Sequence, residues 1–250
     1  MVQVSGNDLK ILRPLFNDIR FYMGKSVLDG KQGKAFTDNK KDPGFAYLQN
    51  KFYYFISGNI TFEQLKKVIY KITKAGRCLI VPSDNIGKML ESLFQEQFFK
   101  KKRYSIKKNT RFDLDKLKTY ISNLSSKYEL KNIDEHLSER IIAENFKNIT
   151  DNFTENGIGV CCLYNDELIG VCASNIVYND GIEVNIRTKE GYQRQGIATA
   201  MAAKLILECL ARGKNVSWDA ANLESLKLAE KLGFEYDSAY DVYVFEEKQN

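Results

Sequence analysis

The chain has 250 residues, 44% of them hydrophobic and 12% aromatic, with a formal net charge of +5. That is enough apolar material for one large or two small cores, which excludes wholesale disorder, and no apolar run is long enough for a bilayer span. Residues 1–126 carry 24 Lys and Arg against 11 Asp and Glu, or +13, while residues 127–250 carry −8, so the change of sign predicts two units, 1–126 and 127–250.

In chain order, Leu9, Leu12, Leu15, Phe16, Ile19 and Met23 recur at helical spacing and predict a helix over Leu9–Met23. The mixed charges of this opening stretch do not fit a signal peptide. A Gly-rich segment, 24–33, leads to short strands at Lys34–Thr37, Gly44–Gln49 and Phe52–Ser57, with a tight hairpin turn at Lys51. Thr61 is placed to cap a helix running to about Ala75 and ended by Gly76. Arg77–Val81 reads as a buried strand, and Asp84 starts a helix to about Phe99. Strands and helices therefore mix in an α/β or α+β manner.

Lys100–Arg111 carries seven basic residues, but Tyr104 and Ile106 alternate with the charges. Alternation favours a solvated edge strand, where Lys discourages edge-to-edge pairing, over a nucleic-acid patch. A helix over 113–126 opens the rest, followed by a strand at Tyr128–Ile133. Asp134 caps the next helix, with Ile141, Ile142 and Phe146 on one face. Strands at Gly157–Tyr164, Glu167–Val177 and Gly181–Lys189 follow, the first two joined by Asn165-Asp166, a pair suited to a tight turn. Then come a helix over 196–212, a strand at Asn215–Ala220, a helix at Leu223–Leu232 and a strand at Tyr240–Glu246. No internal repeat is visible along the chain.

The segment Gln193-Arg194-Gln195-Gly196-Ile197-Ala198 joins a strand to an Ala-rich helix. Glycine at 196 permits a sharp turn and close approach of a bulky anion. The amides from Gln193 to Thr199 are the unpaired donors of a helix start and face the positive end of its dipole. Together they make a site for a diphosphate. Downstream comes Trp218-Asp219-Ala220-Ala221-Asn222, in which Asn222 is placed as N-cap of the next helix and Gly233 as its C-terminal stop.

These two signals, in this order, resemble the GNAT superfamily of acyl-CoA N-acetyltransferases. The likeness covers roughly residues 127–250: the loop at 193–198, and Asn-x-x-Ser-x-x-Leu-Ala-x-Lys-Leu-Gly-Phe at 222–234. Trp218–Asn222 and the extra first half resemble, more narrowly, the zwittermicin-resistance-type branch. The resemblance implies a mixed α/β domain that binds acetyl-CoA, with residues 1–126 as a further α/β domain or a diverged GNAT-like half that shapes the acceptor site. It implies acetyl transfer to a primary amine of a small molecule, without a metal; an acyl-CoA-binding regulatory module without turnover is the competing reading. Cofactor contacts fall to Ile186, Thr188, Gln193, Arg194, Gln195, Gly196, Ile197, Ala198, Thr199 and Asn222. Strand 181–189 is expected to splay from strand 215–220 so that pantetheine inserts between them. Glu183, sharing a face with Asn185 and Arg187, is the candidate base. Many relatives carry a tyrosine, the acid for the leaving thiol, where this chain has Ala229. Ser225, Tyr236, Tyr240 and Tyr243 are the hydroxyls considered instead, or water protonates a free thiolate.

Other motifs carry less. Gly24-Lys25-Ser26 lacks the earlier glycine of a phosphate-binding P-loop, since position 19 is Ile, and Gly30–Lys34 lacks the spacing too. Five cysteines without a C-x-x-C pair, and one histidine, His136 in a helix's first turn, do not match zinc-site spacing. Reduced, buried thiols point to the cytoplasm. The oligomeric state stays open, a dimer included.

Overall fold

The computed structural model describes residues 1–18, 23–72, 77–81, 83–94, 97–108, 110–146, 149 and 153–245. Its strands form two mixed sheets. In the first half, β1 (Val2–Val4), β2 (Lys34–Thr37), β3 (Phe45–Asn50) and β4 (Tyr53–Gly58) pair antiparallel in sequence. The turn between β3 and β4 is tight because Lys51 adopts a left-handed φ of 53°. Helix α2 (Phe62–Ile72) carries the chain across to β5 (Cys78–Ile80), which runs parallel to β4. Thr61 and Gln64 form a reciprocal cap at its start: Gln64 N–H donates to Thr61 Oγ1 at 3.3 Å, and Thr61 N–H to Gln64 Oε1 at 2.9 Å. After α3 (Asp84–Phe94) the chain returns as β6 (Phe98–Ile106). Leu65, Val68 and Ile69 of α2 and Ile86 and Leu90 of α3 pack with Tyr54, Ile56 and Leu79 in one core, each buried aliphatic contributing about 1.5–3 kcal/mol.

The second half repeats this plan. Helix α4 (Leu114–Ser122), capped by Asp113, precedes β7 (Glu129–Asn132), and Asp134 caps α5 (Glu135–Ala143). A short α6 (Phe153–Asn156) leads to an antiparallel run of β8 (Gly159–Tyr164), β9 (Glu167–Tyr178) and β10 (Gly181–Thr188). The β8–β9 turn uses Asn165 and Asp166, both at positive φ. Helix α7 (Ile197–Ala211) crosses to β11 (Asn215–Ser217), parallel to β10, and α8 (Leu223–Leu232) leads to β12 (Tyr236–Phe245). The order β2-β3-β4-α2-β5-α3-β6 thus recurs as β8-β9-β10-α7-β11-α8-β12. This repeat is invisible to sequence comparison by eye because pairing geometry, rather than residue identity, carries it.

Four expectations are corrected. The Leu9–Met23 pattern forms a 3₁₀ helix over Gly6–Phe16, with Pro14, which has no N–H, inside it, and a separate short α1 (Lys25–Leu28). Ile19 lies outside the described residues, as do Ala75, Gly76 and Glu246, where element ends were expected. The helix expected to reach Phe99 ends at Phe94, and Phe98 already belongs to β6. Ile142 is 66% exposed, whereas Ile141 and Phe146 are buried. The last strand, expected in the second half, joins the first sheet, whose order is β1-β2-β3-β4-β5-β12-β6; the second sheet is β11-β10-β9-β8-β7. Contact density divides the chain into Met1–Ser105 with the segment from Ser238 onward, and Ile106–Asp237. This differs from a division at 126–127 because α4 packs on α7, and because β12 pairs with β5 through Tyr243–Leu79 and Val244–Cys78.

Edge strand β6 bears the basic run. Lys100 pairs with Glu91, Lys102 with Asp241, and Lys107 with Glu235, so these charges sit on acidic neighbours. No helix among the described residues is long and apolar enough to cross a membrane.

Gly181, the first residue of β10, permits the close approach of β11: a Cβ there would meet the Asn215 carbonyl oxygen at 2.3 Å. Gly181→Ala is expected to lower stability by about 1–3 kcal/mol in urea denaturation, by forcing these strands apart. An unchanged midpoint would contradict this packing.

Candidate active site at a strand fork

Strand β10 has a neighbour on each side only at its start. It pairs with β11 through Gly181–Asn215, Ile182–Val216 and Glu183–Ser217, then continues to Thr188 bound to β9 alone. The register with β9 shifts at the same place, Glu183 facing Ile176 and Val184 facing Ser174, so Asn175 is an extra residue. A bulge sharpens the local twist, which turns β10 away from β11. One backbone edge of residues 184–188 is left without a strand partner and can receive an extended, amide-bearing chain. Strand β11 ends at Ser217, short of the expected Ala220, so the two strands pair over three rungs and no further.

At the fork's apex stands Glu183. Its side chain is not the solvent-facing charge of an ordinary strand: the residue is 3% exposed. Ser217 Oγ donates to Glu183 Oε2 at 2.6 Å, and the Asp219 backbone N–H donates to Oε1 at 2.6 Å. Charge-assisted bonds of this kind offset the desolvation of a buried carboxylate. Asn185 and Arg187 follow on the same face, opposite Ala173 and Val171, which pack with Leu137 and Ile141 of α5. Ile186 and Thr188 face the other way, opposite Cys172 and Gly170, the latter beside Met201 of α7. The Thr188 hydroxyl is buried and, among the described residues, has no hydrogen-bond partner.

The turn from β10 into α7 takes an unusual backbone path into the helix start. Arg194 and Gly196 take left-handed φ values of 62° and 83°. Gly196 is the N-cap of α7 and offers no side-chain cap, and a Cβ there would meet nothing within 4 Å. The helical ladder starts at Ala200 N–H on the Gly196 carbonyl. Among the described residues, the N–H groups of Gly196, Ile197, Ala198 and Thr199 meet no acceptor, at the positive end of the helix dipole. Gln193 and Gln195 use their side chains inward: Gln193 Nε2 donates to the Thr188 carbonyl at 3.4 Å and Gln195 Nε2 to the Gly191 carbonyl at 3.3 Å. The Tyr128 hydroxyl also donates to Gln195 Oε1. Lys189 and Tyr192, just before the turn, both hold Glu167, keeping its carboxyl below the usual range, chiefly through the Tyr192 hydroxyl. These braces hold the backbone amides outward.

The matching turn in the first half, between β4 and α2, is closed by the Thr61–Gln64 cap. It lies at 59–61. Among the described residues, the second half alone pairs an open edge with an uncapped helix start.

The loop after β11 is pinned beside the fork. Trp218 Nε1 donates to Ser225 Oγ at 3.0 Å, and Asn222 Oδ1 accepts from Ser225 N–H at 2.8 Å. The buried Trp218 ring packs on Phe234, at 5.6 Å between centroids. Ser225 is therefore an anchor for both neighbours. Gly233 ends α8 at φ 108°. Tyr240 and Tyr243 lie on β12 in the first unit's sheet, where the Tyr243 hydroxyl bonds Glu91 at 3.2 Å. Tyr236 is exposed, as is His136. Ala229 is fully buried. Reading the sequence missed Ser217 and the Asp219 amide, because only the parallel register of β11 brings them to Glu183.

A model of the family described as GNAT acetyltransferase matches residues 13–243. The crystal structure of a GCN5-related N-acetyltransferase-like protein from Streptococcus suis 89/1591 superposes with a TM-score of 0.85, at 31% identity, over 95% of this chain and 98% of that one. A GCN5-related N-acetyltransferase from Kribbella flavida shares the fold at a TM-score of 0.58 and 11% identity, over 97% and 96%. The uncharacterized N-acetyltransferase YdfB of Bacillus subtilis (strain 168) is 31% identical over 102 residues, 40% of this chain and 39% of that protein, so the match spans less than half of it. The likeness thus reaches well into the first half of the chain.

All five cysteines are buried and unpaired with one another. Burial raises the Cys161 thiol to about 11 and those of Cys162 and Cys209 to about 12, and drives Cys172 well up. Native protein at about pH 8 is expected to react negligibly with a disulfide thiol reagent, and to react fully once unfolded in guanidinium. A fast-reacting native thiol would refute this burial.

Proposed function

The chain belongs to the GNAT acetyltransferase family, and on that premise we propose that it transfers an acetyl group from acetyl-CoA to a primary amine of a small molecule. One observation carries the reading: the open edge of β10 runs directly into a helix start whose amides meet no acceptor. An extended amide chain ending in a diphosphate matches both parts. The residues present suit this donor. Gly196, Ile197, Ala198 and Thr199 would hold its diphosphate through their amides, with Arg194 exposed beside them. The edge at Ile186 and Thr188 would take the pantetheine amides as an added strand, and the unpartnered Thr188 hydroxyl suits the same arm. Asn222, its Oδ1 committed to the cap, keeps its Nδ2 donors for that arm. Gln193 and Gln195 contribute by bracing the turn.

The donor supplies an acetyl group activated as a thioester. The rest falls to the protein. An amine attacks only when neutral, so a base must stand near the apex. Glu183 is assigned that role: it is the buried carboxylate at the apex, on the face shared with Asn185 and Arg187. Its two hydrogen bonds hold the carboxylate in one orientation. The Trp218–Asn222 segment and the family-wide first half support a finer placement in the zwittermicin-resistance-type branch, which makes amino-antibiotics, with polyamines, the first acceptors to try.

A second reading, a module that binds acyl-CoA without turnover, is favoured by one feature, the absence of a hydroxyl at Ala229.

Calorimetric titration is expected to show acetyl-CoA binding, and Gly196→Val to weaken it at least about tenfold, since valine is strained at positive φ and its side chain fills the anion's approach. No binding at millimolar acetyl-CoA would defeat the proposal. In a thiol-release assay over the amine panel, Glu183→Gln is expected to cut kcat by about 10²-fold or more with acetyl-CoA affinity retained. Binding by the wild type with no turnover on any amine would favour the module.

A further inference from the structure

We propose, on the acetyltransferase reading above, that Ser217 is a catalytic proton carrier that works with Glu183 as one pair, taking the proton from the attacking amine and returning it to the departing sulfur. The argument begins with access. Glu183 is 3% exposed, and each of its oxygens already accepts a hydrogen bond, one from Ser217 Oγ and one from the Asp219 amide. An amine arriving at the fork therefore meets the serine, which is half-buried, before it meets the carboxylate. Ser217 Oγ spends its proton on Glu183 and, among the described residues, engages nothing else, so its acceptor lone pairs are available. A hydroxyl can accept one proton while donating another, which a carboxylate fixed by two donors does less readily.

Position supports the same role. Ser217 sits on the last paired rung of β10 and β11, and the open edge begins one residue further along β10. Two of the other hydroxyls considered are committed elsewhere. Ser225 Oγ is held by Trp218, and the Tyr243 hydroxyl bonds Glu91 in the other unit's sheet. Ala229 supplies none.

The proton balance closes on this pair. As the nitrogen–carbon bond forms and the carbon–sulfur bond breaks, the surplus proton on nitrogen passes to Ser217 Oγ. The serine's own proton passes at the same time to Glu183. The reverse pair of transfers then delivers one proton to sulfur. Nitrogen has lost one proton, sulfur has gained one, and both side chains end as they began. A separate acid, the part played by a tyrosine in many relatives, is not needed.

The test combines binding, single-turnover kinetics and solvent isotope effects. Ser217→Ala is expected to slow single-turnover acetyl transfer by about 10²-fold or more, while acetyl-CoA affinity by calorimetry stays within about threefold of wild type. Ser217→Thr, which keeps the hydroxyl, is expected to recover most of the rate. In wild type, the single-turnover rate measured across mixtures of light and heavy water is expected to fall along a bowed curve, because two protons move together. A rate within about threefold of wild type in Ser217→Ala would overturn the proposal and leave the acetyltransferase reading standing. A linear isotope dependence in wild type would overturn it as well, even if Ser217→Ala does not fold. Wild type that binds acetyl-CoA but turns over no amine defeats the acetyltransferase reading itself, and the carrier with it.

Discussion

Burying a carboxylate costs several kcal/mol unless donors surround it, and the fork is arranged around that constraint. Glu183 meets a hydroxyl on β11 and a backbone amide in the loop after β11, so one side chain ties β10, β11 and the following loop together. The tie falls on the last paired rung, and the bulge opposite it turns β10 outward from there. Where the sheet opens, and hence where an inserted chain must end, is set at this point. The structural tie and the proposed proton path are one set of contacts.

The two halves finish the same arrangement of strands and helix differently. Both run through three antiparallel strands, a crossover helix and a parallel strand. In the first half the helix start is satisfied internally by Thr61 and Gln64, and β12 lies against the far side of β5. Leu79 there is enclosed by α2 and α3 side chains, and the sheet spends its polar capacity on itself. In the second half the helix start is a glycine with no side chain to cap it, and the sheet ends at β11. An unsatisfied row of donors is costly in a folded protein and persists where a ligand is to supply the acceptors.

Rigidity around the fork comes from contacts outside the chemistry. Gln195, held by Tyr128 and the Gly191 carbonyl, and Glu167, held by Tyr192 and Lys189, fix the turn's backbone. Trp218, locked on Ser225 and Phe234, fixes the far bank. A fork lined by fixed amides loses little entropy when it binds an extended ligand.

Much of this was legible in the residues. The strands at 34–37 and 167–178, the turns at Lys51 and Asn165-Asp166, the caps at Thr61, Asp134 and Asn222, and the glycine at 196 follow from local rules. Each depends on a few neighbouring dihedrals or on one side chain reaching its own backbone. The helix expected over 9–23 failed for an equally local reason, since apolar spacing outweighed Pro14 in the reading but not in the fold. Other features depend on partners far along the chain. Residues 181–183 and 215–217 show no mark of their register, so nothing in Asn215-Val216-Ser217 announces that Ser217 will meet Glu183. Nor does the alternation of β12 say which sheet it completes, because a period of two states that a strand has two faces and not which neighbour it pairs with. By itself the sequence determined most of the elements, their caps and the glycine turn at 196. The tertiary structure decided the fork, its buried carboxylate and the serine beside it, because these exist only where strands distant in sequence share a rung.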